Sequence, residues 1–192
     1  DSEEKLNNFL NPNLSNLTDP REISELNEIS ERIKNWISKG EKIGIYGDYD
    51  VDGITSSVII AKVLDRLGGE YEIYIPDRFE EGYGLSQKGI DHFIHSGIAK
   101  VITVDCGITS FDEVEYAKSK GVEIIITDHH APGEKVADTL YFNPKCGYEE
   151  TSFGSLAGAG VALFLGLNFF SEVDDFFKAL FGLASLGTVA DV

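Results

Sequence analysis

The sequence predicts an α/β fold, a three-layer αβα arrangement built on a mostly parallel sheet. Three observations predict it. Short apolar strands alternate with helical segments along the chain. The strands read as near-continuous apolar runs, as burial on both faces demands. Three of them run into acidic residues at their carboxyl ends, the edge at which open parallel sheets bind ligands.

Taken in order, residues 22–38 (EISELNEISERIKNWIS) place Ile23, Leu26, Ile29, Ile33 and Ile37 on one helical face, and Gly40 closes that helix. KIGIY (42–46) is the first strand, and ITSSVIIAKVLDRLGG is a helix ending at Gly68 and Gly69. Next come a strand, EYEIYIP (70–76), a helix, SQKGIDHFIHSG (86–97), and a strand, AKVITVD (99–105). TSFDEVEYAKSKG (109–121) is a helix capped by Thr109 or Ser110, and VEIIITD (122–128) is the fourth strand. From residue 155 the chain turns rich in Ala, Gly, Leu and Phe and predicts two buried helices. Each apolar stretch is shorter than the roughly 20 residues of a membrane span, and Glu172, Asp174, Asp175 and Lys178 interrupt the pair, so no membrane partner is expected. The organisation expected is an N-terminal helical extension over residues 1–40 and a main domain over 41–192, ending in a buried helical segment over 155–192.

The 192 residues are 42% apolar, enough for a real core. Sixteen Lys and Arg against 33 Asp and Glu give a formal charge of −17, which disfavours nonspecific nucleic-acid binding through a broad basic face. A phosphate substrate would need a local cation. Cys106 and Cys146 are too few for a disulfide framework, and no secretory signal is visible, so a reducing cytoplasm is the expected location. The chain starts at Asp1, contains no Met and stops at ADV, so it is expected to be a piece of something longer.

The segment IYGDYDVDGITSS (45–57) crowds Asp48, Asp50 and Asp52 behind the first strand, with no Lys or Arg beside them. Two unit charges about 4 Å apart repel by roughly 4 kcal/mol at an effective dielectric near 20, so such a cluster needs protons, a basic partner or a metal. Asp105 ends the third strand, and Asp128, His129 and His130 end the fourth, so residues far apart in sequence converge on one sheet edge. Carboxylates with one or two imidazoles suit Mn²⁺ or Mg²⁺, and a pair of such ions roughly 3.5–4 Å apart serves phosphoester hydrolysis. Any one of these acids could instead cap a helix or turn. An EF-hand reading of DYDVDG fails because Ile59 stands where Glu is needed and a strand precedes the loop. An aspartyl-phosphate phosphatase of the haloacid dehalogenase type, with Asp50 as nucleophile and Asp52 as acid, leaves Asp105 and the DHH triplet unexplained. His92 and His95 lie three apart on a helix, away from any strand end, and read as surface residues.

With these residues assembled, the chain resembles the DHH phosphoesterase superfamily, and within it the single-strand-specific exonucleases. The blocks are GDYDVDGITS (47–56), PDRFEEGYGLS (76–86), TVDCGI (103–108), IITDHH (125–130), Asn143 with Pro144, LAGAGVA (156–162) and GTVADV (187–192). The resemblance implies a two-metal, Mn²⁺- or Mg²⁺-dependent nuclease that removes 5′ nucleotides from single-stranded DNA without a covalent intermediate. It implies Asp50, Asp52, Asp105, His129 and Asp191 as metal ligands, with Asp48 as a ligand or a support for one. Asp128 would orient the histidines, and His130 would donate a hydrogen bond or proton to the scissile phosphate. Arg78 and Tyr83 would contact phosphate or base, or else form a salt bridge to Glu80 or Glu81 and an ordinary packed aromatic. Asp191 rests on the resemblance alone. Gly154, Gly158 and Gly160 fit either backbone approach to a phosphate or close helix packing.

Such enzymes carry a DHHA1-type domain, often with an oligonucleotide-binding module, and neither follows Val192, so the chain alone is expected to bind Mn²⁺ and to cleave DNA poorly or not at all. A single-strand-binding protein and a helicase are the protein partners expected. Other members of the superfamily act as oligoribonucleases, cyclic-dinucleotide phosphodiesterases or pyrophosphatases. Their first block offers a His where Tyr46 stands here, which favours the DNA exonucleases. A catalytically silent replication scaffold of the same fold is the other alternative, disfavoured because all the ligand positions are retained.

Overall fold

The computed structural model describes residues 19–191 continuously, together with Leu6, Asn7, Leu10 and Asn11. Five strands, β1 (Ile43–Tyr46), β2 (Tyr71–Tyr74), β3 (Lys100–Val104), β4 (Glu123–Thr127) and β5 (Leu140–Phe142), form one sheet in the order β2-β1-β3-β4-β5. Every pairing is parallel, with Ile45 opposite Ile73 and Ile102, and Ile125 opposite Leu140. This order reverses direction between β1 and β3, and the switch opens a crevice at their carboxyl ends.

Among the described residues, six α-helices of two turns or more cover the sheet: α1 (Ser24–Ser38), α2 (Val51–Leu67), α3 (Gln87–His95), α4 (Phe111–Ser119), α5 (Gly158–Asn168) and α6 (Asp175–Ala190). Alternation along the strands divides the core. Ile43, Ile45, Ile102, Val104 and Ile125 face α1, α2, α5 and α6, and bury Leu26, Ile33, Trp36, Ile59, Leu163 and Phe177 with them. Tyr46, Val101, Ile124 and Ile126 face the other way, toward Ile90 and Phe93 of α3 and Val114 of α4. Gly44 lets Phe93 lie directly on β1, since a Cβ there would stand 2.7 Å from the ring.

Several elements differ from expectation. The helix α2 begins at Val51 rather than after the acidic cluster, because the Asp50 side chain accepts from the Gly53 N–H as its N-cap. Asp52 is therefore a first-turn residue, not a loop residue. Ser110 is the N-cap position of α4 but makes no side-chain capping bond. The edge strand β2 is only partly buried, with Ile73 40% exposed, since nothing pairs with its outer side among the described residues. A fifth strand, β5, stands beyond the four expected from the sequence. All eleven residues of α5 are buried, whereas α6 buries Phe177, Leu180, Ala184 and Gly187 and leaves Leu186 and Val189 exposed.

Candidate metal centre

The carboxyl ends of β1, β3 and β4 bring Asp48, Asp50, Asp52, Asp105, Asp128, His129 and His130 into one crevice, and the end of α6 adds Asp191. Three groups of ligand-type atoms lie within 4.8 Å of one another: Asp48, Asp50 and Asp105; Asp52, His129 and Asp191; Asp105, His129 and His130. Asp105 and His129 recur, which joins the three into one cluster. His129 Nε2 stands 3.0 Å from Asp105 Oδ1 and 3.6 Å from Asp52 Oδ2, while its Nδ1 stands 3.7 Å from Asp191 Oδ2.

Buried polar atoms almost always have partners. Here Asp48 Oδ1, Asp105 Oδ1 and His129 Nε2 are buried without a hydrogen bond. Acceptors on two carboxylates and a ring nitrogen, none of them hydrogen-bonded though His129 Nε2 lies 3.0 Å from Asp105 Oδ1, suit a divalent cation with oxygen and nitrogen ligands.

The electrostatics agree with that donor set. Burial, then the neighbouring Asp52 and Asp50, pushes the Asp105 carboxyl up to about 9. Burial likewise pushes Asp48 up to about 6. Asp52 is raised by burial against the pull of two backbone donors, Gly158 N–H to Oδ2 (2.6 Å) and Ala159 N–H to Oδ1 (2.8 Å). Those donors are the free N–H groups at the start of α5, which favour a negative charge. Asp105 has φ 62°, the one positive φ outside glycine among the described residues. Such a conformation costs about 1–3 kcal/mol and is held by its surroundings, here by its N–H bond to Thr127 O across the sheet.

Asp128 sits beneath the histidines rather than among the open ligand atoms. Its Oδ2 accepts from Ile108 N–H, and its Oδ1 accepts from the N–H groups of His129 and His130 and from His130 Nδ1 at 2.8 Å. Burial works against its charge, yet the bonds from His130 and Ile108 prevail and hold the carboxyl below its ordinary value. In return Asp128 raises the His130 imidazole. With the Nδ1 proton directed at this carboxylate, Tyr83 Oη, also 2.8 Å from Nδ1, shares it, and His130 Nε2 remains for another partner.

Tyr83 thus reaches the site, while Arg78 forms no salt bridge with Glu80 or Glu81 and lies 5.2 Å from the Tyr49 ring centre. His92 and His95 do not pair. His92 Nε2 is 2.7 Å from Glu72, and His95 Nδ1 meets the backbone oxygen of Asp91. Gly158 and Gly187 carry close contacts that the spacing did not reveal. A Cβ on Gly158 would stand 2.5 Å from Asp105 Oδ1, and one on Gly187 would stand 2.6 Å from Asp52 Oδ1 and 2.7 Å from Ala159 Cβ. Gly154 and Gly160 instead abut Glu149 and Leu156.

Comparison with known proteins agrees with this picture. The single-stranded-DNA-specific exonuclease RecJ of Bacillus subtilis (strain 168) is 40% identical over 196 residues, covering 100% of this chain and 24% of the relative. A crystal structure of exonuclease RecJ bound to manganese superposes with a TM-score of 0.79 at 32% identity, covering 88% of this chain and 44% of that one. RecJ from Thermus thermophilus in complex with Mn²⁺ gives 0.73 at 29% identity, over 95% of this chain and 26% of that one. The chain therefore spans less than half the length of each of these relatives. The N-terminal domain of the DHH family matches residues 42–188, and the chain belongs to the DHH family.

Proposed function

We propose that this chain is the metal-holding part of a single-strand-specific DNA exonuclease that acts 5′ to 3′, releases 5′-mononucleotides and serves DNA repair and recombination. The observation that carries the reading is the convergence of Asp48 Oδ1, Asp105 Oδ1 and His129 Nε2, buried and without hydrogen bonds, in one crevice. Asp52, His129 and Asp191 would hold one Mn²⁺ or Mg²⁺, and Asp48, Asp50 and Asp105 a second. When bound, the pair would acidify a water and neutralise charge on the phosphoryl oxygens.

The chain's own residues supply the rest. Asp128 fixes the His130 ring through Nδ1 and favours its cationic form, in which Nε2–H donates to the scissile phosphate. Tyr83 steadies the same ring, and Arg78, exposed beside Tyr49, meets phosphate. We take residues 41–192 as the catalytic domain and 1–40 as a helical extension, of which 1–5, 8–9 and 12–18 lie outside the described residues and α1 seals the larger core. A single-strand-binding protein and a helicase, which expose and hold the strand, are the partners such a reaction calls for. Two free thiols support a reducing cytoplasm. No helix among the described residues is long and apolar enough to cross a membrane.

The test is single-turnover hydrolysis with the chain in excess over a 5′-phosphorylated single strand, a duplex, pyrophosphate and a cyclic dinucleotide, each with Mn²⁺. Slow release of 5′-mononucleotides from the single strand, lost in Asp105→Asn, is expected. Preference for pyrophosphate or the cyclic dinucleotide over the single strand overturns the reading.

A further inference from the structure

Phe79 is the most exposed large apolar side chain among the described residues, at 95%. It stands in the loop between β2 and α3, on the rim that carries the acidic crevice. Arg78, its neighbour, lies over Tyr49, which separates Asp48 from Asp50, and Tyr83 of the same loop reaches His130. No aromatic ring or cation lies against Phe79 itself among the described residues.

The loop around this ring is fixed. Asp77 Oδ1 accepts from the N–H groups of Phe79 (2.8 Å) and Glu80 (3.0 Å), which fixes the backbone that carries the Phe79 side chain. The carboxylate of Glu81, only 4% exposed, accepts from Asp77 N–H, Tyr74 Oη–H and Ser86 Oγ–H. Tyr46 Oη–H donates to Gly84 O from beneath. An apolar ring is thus held open to water on a rigid support beside the catalytic crevice.

We propose that Phe79 is a stacking face for a nucleobase of the single strand whose phosphate enters the crevice, an inference that rests on the function proposed above. Every base has a π-face, so a phenyl ring binds single strands without sequence preference. The contact is uncharged, and the acidic surface of a −17 chain does not oppose it as it opposes phosphate. Phe79 fixes the base while Arg78 and the metal ligands take the backbone.

The protein offers a clean reporter. Its one tryptophan, Trp36, is 1% exposed in the core, so in Phe79→Trp the new indole alone responds to a ligand at the surface. With Mg²⁺ and a 5′-phosphorylated, phosphorothioate-linked oligothymidylate, its fluorescence is expected to quench saturably, and an abasic strand of equal length is expected to leave it unchanged. Phe79→Ala should weaken binding of the thymidylate about tenfold, as loss of one base–aromatic stack does, and leave the abasic strand and Mn²⁺ binding as in the parent. Absence of saturable quenching overturns the proposal, as does an equal loss on both strands or an unchanged thymidylate affinity, which would assign the ring to a protein contact. Base-dependent quenching together with preferential hydrolysis of pyrophosphate or a cyclic dinucleotide would sink the exonuclease reading and keep the stack. Hydrolysis indifferent to Phe79→Ala would do the reverse.

Discussion

Replacing Gly187 with Ala separates the metal site from the fold. The added methyl would press on Thr55 Oγ1 and stand 2.6 Å from Asp52 Oδ1 and 2.7 Å from Ala159 Cβ, against ordinary contacts of about 3.5 Å or more, so α6, or Thr55 and Asp52 together, must yield by nearly 1 Å. Asp52 is gripped by two backbone N–H groups, and Asp191 hangs one turn beyond Gly187 through its N–H bond to Gly187 O. Overpacking costs about 1–3 kcal/mol, while Ala in a helix interior gains about 1 kcal/mol over Gly. Net stability should therefore fall by no more than about 2 kcal/mol. Misplacing a ligand or its support costs about 10- to 100-fold in metal affinity. Urea unfolding of the metal-free protein and calorimetric Mn²⁺ titration measure the two separately. Parental Mn²⁺ affinity in a folded Gly187→Ala protein would refute the argument.

Other outcomes follow from the same geometry. The metal-free Asp105 carboxyl stands at about 9 and Asp48 at about 6, so Mn²⁺ must displace protons and its apparent affinity should rise about tenfold per pH unit between pH 6 and 8; a flat affinity with no proton release to the buffer would contradict this. The sign for folding is opposite. Asp105 has a folded value above its ordinary 3.8, so its contribution to stability is present below that value and is lost as pH climbs toward 9, and the melting temperature gained from Mn²⁺ should grow with pH. Asp128→Asn removes the cause of the raised His130 imidazole, so the His130 titration followed by NMR should move to lower pH. Gly44→Ala drives a methyl into the Phe93 ring and should cost about 1–3 kcal/mol in urea unfolding without changing Mn²⁺ affinity.

Much of this was legible in the sequence because parallel strands announce themselves. The runs leading to Asp48, Asp105 and Asp128 gave β1, β3 and β4, and the sheet then brought their ends together. What stayed hidden is tertiary. β5 is three residues long, too short for a period, and exists through its pairing with β4. The start of α2 at Val51 depends on Asp50 acting as a cap, in a stretch whose acids read as a ligand loop. Asp191 has no local signature, and the backbone grip of Gly158 and Ala159 on Asp52 leaves no trace in side-chain chemistry. The left-handed backbone of Asp105 is equally invisible, since nothing but its surroundings holds it there.

The bond from Gly158 to Asp52 spans 106 residues. During synthesis, then, the acids behind β1 emerge long before the helix that tethers one of them. Until α5 docks, Asp52 lacks its two backbone donors, and the pairing of Asp52 with Asp191 proposed to hold one cation is not yet in place. Ion capture becomes a late event in maturation, one that reports completion of the C-terminal helical pair rather than of the sheet beneath it.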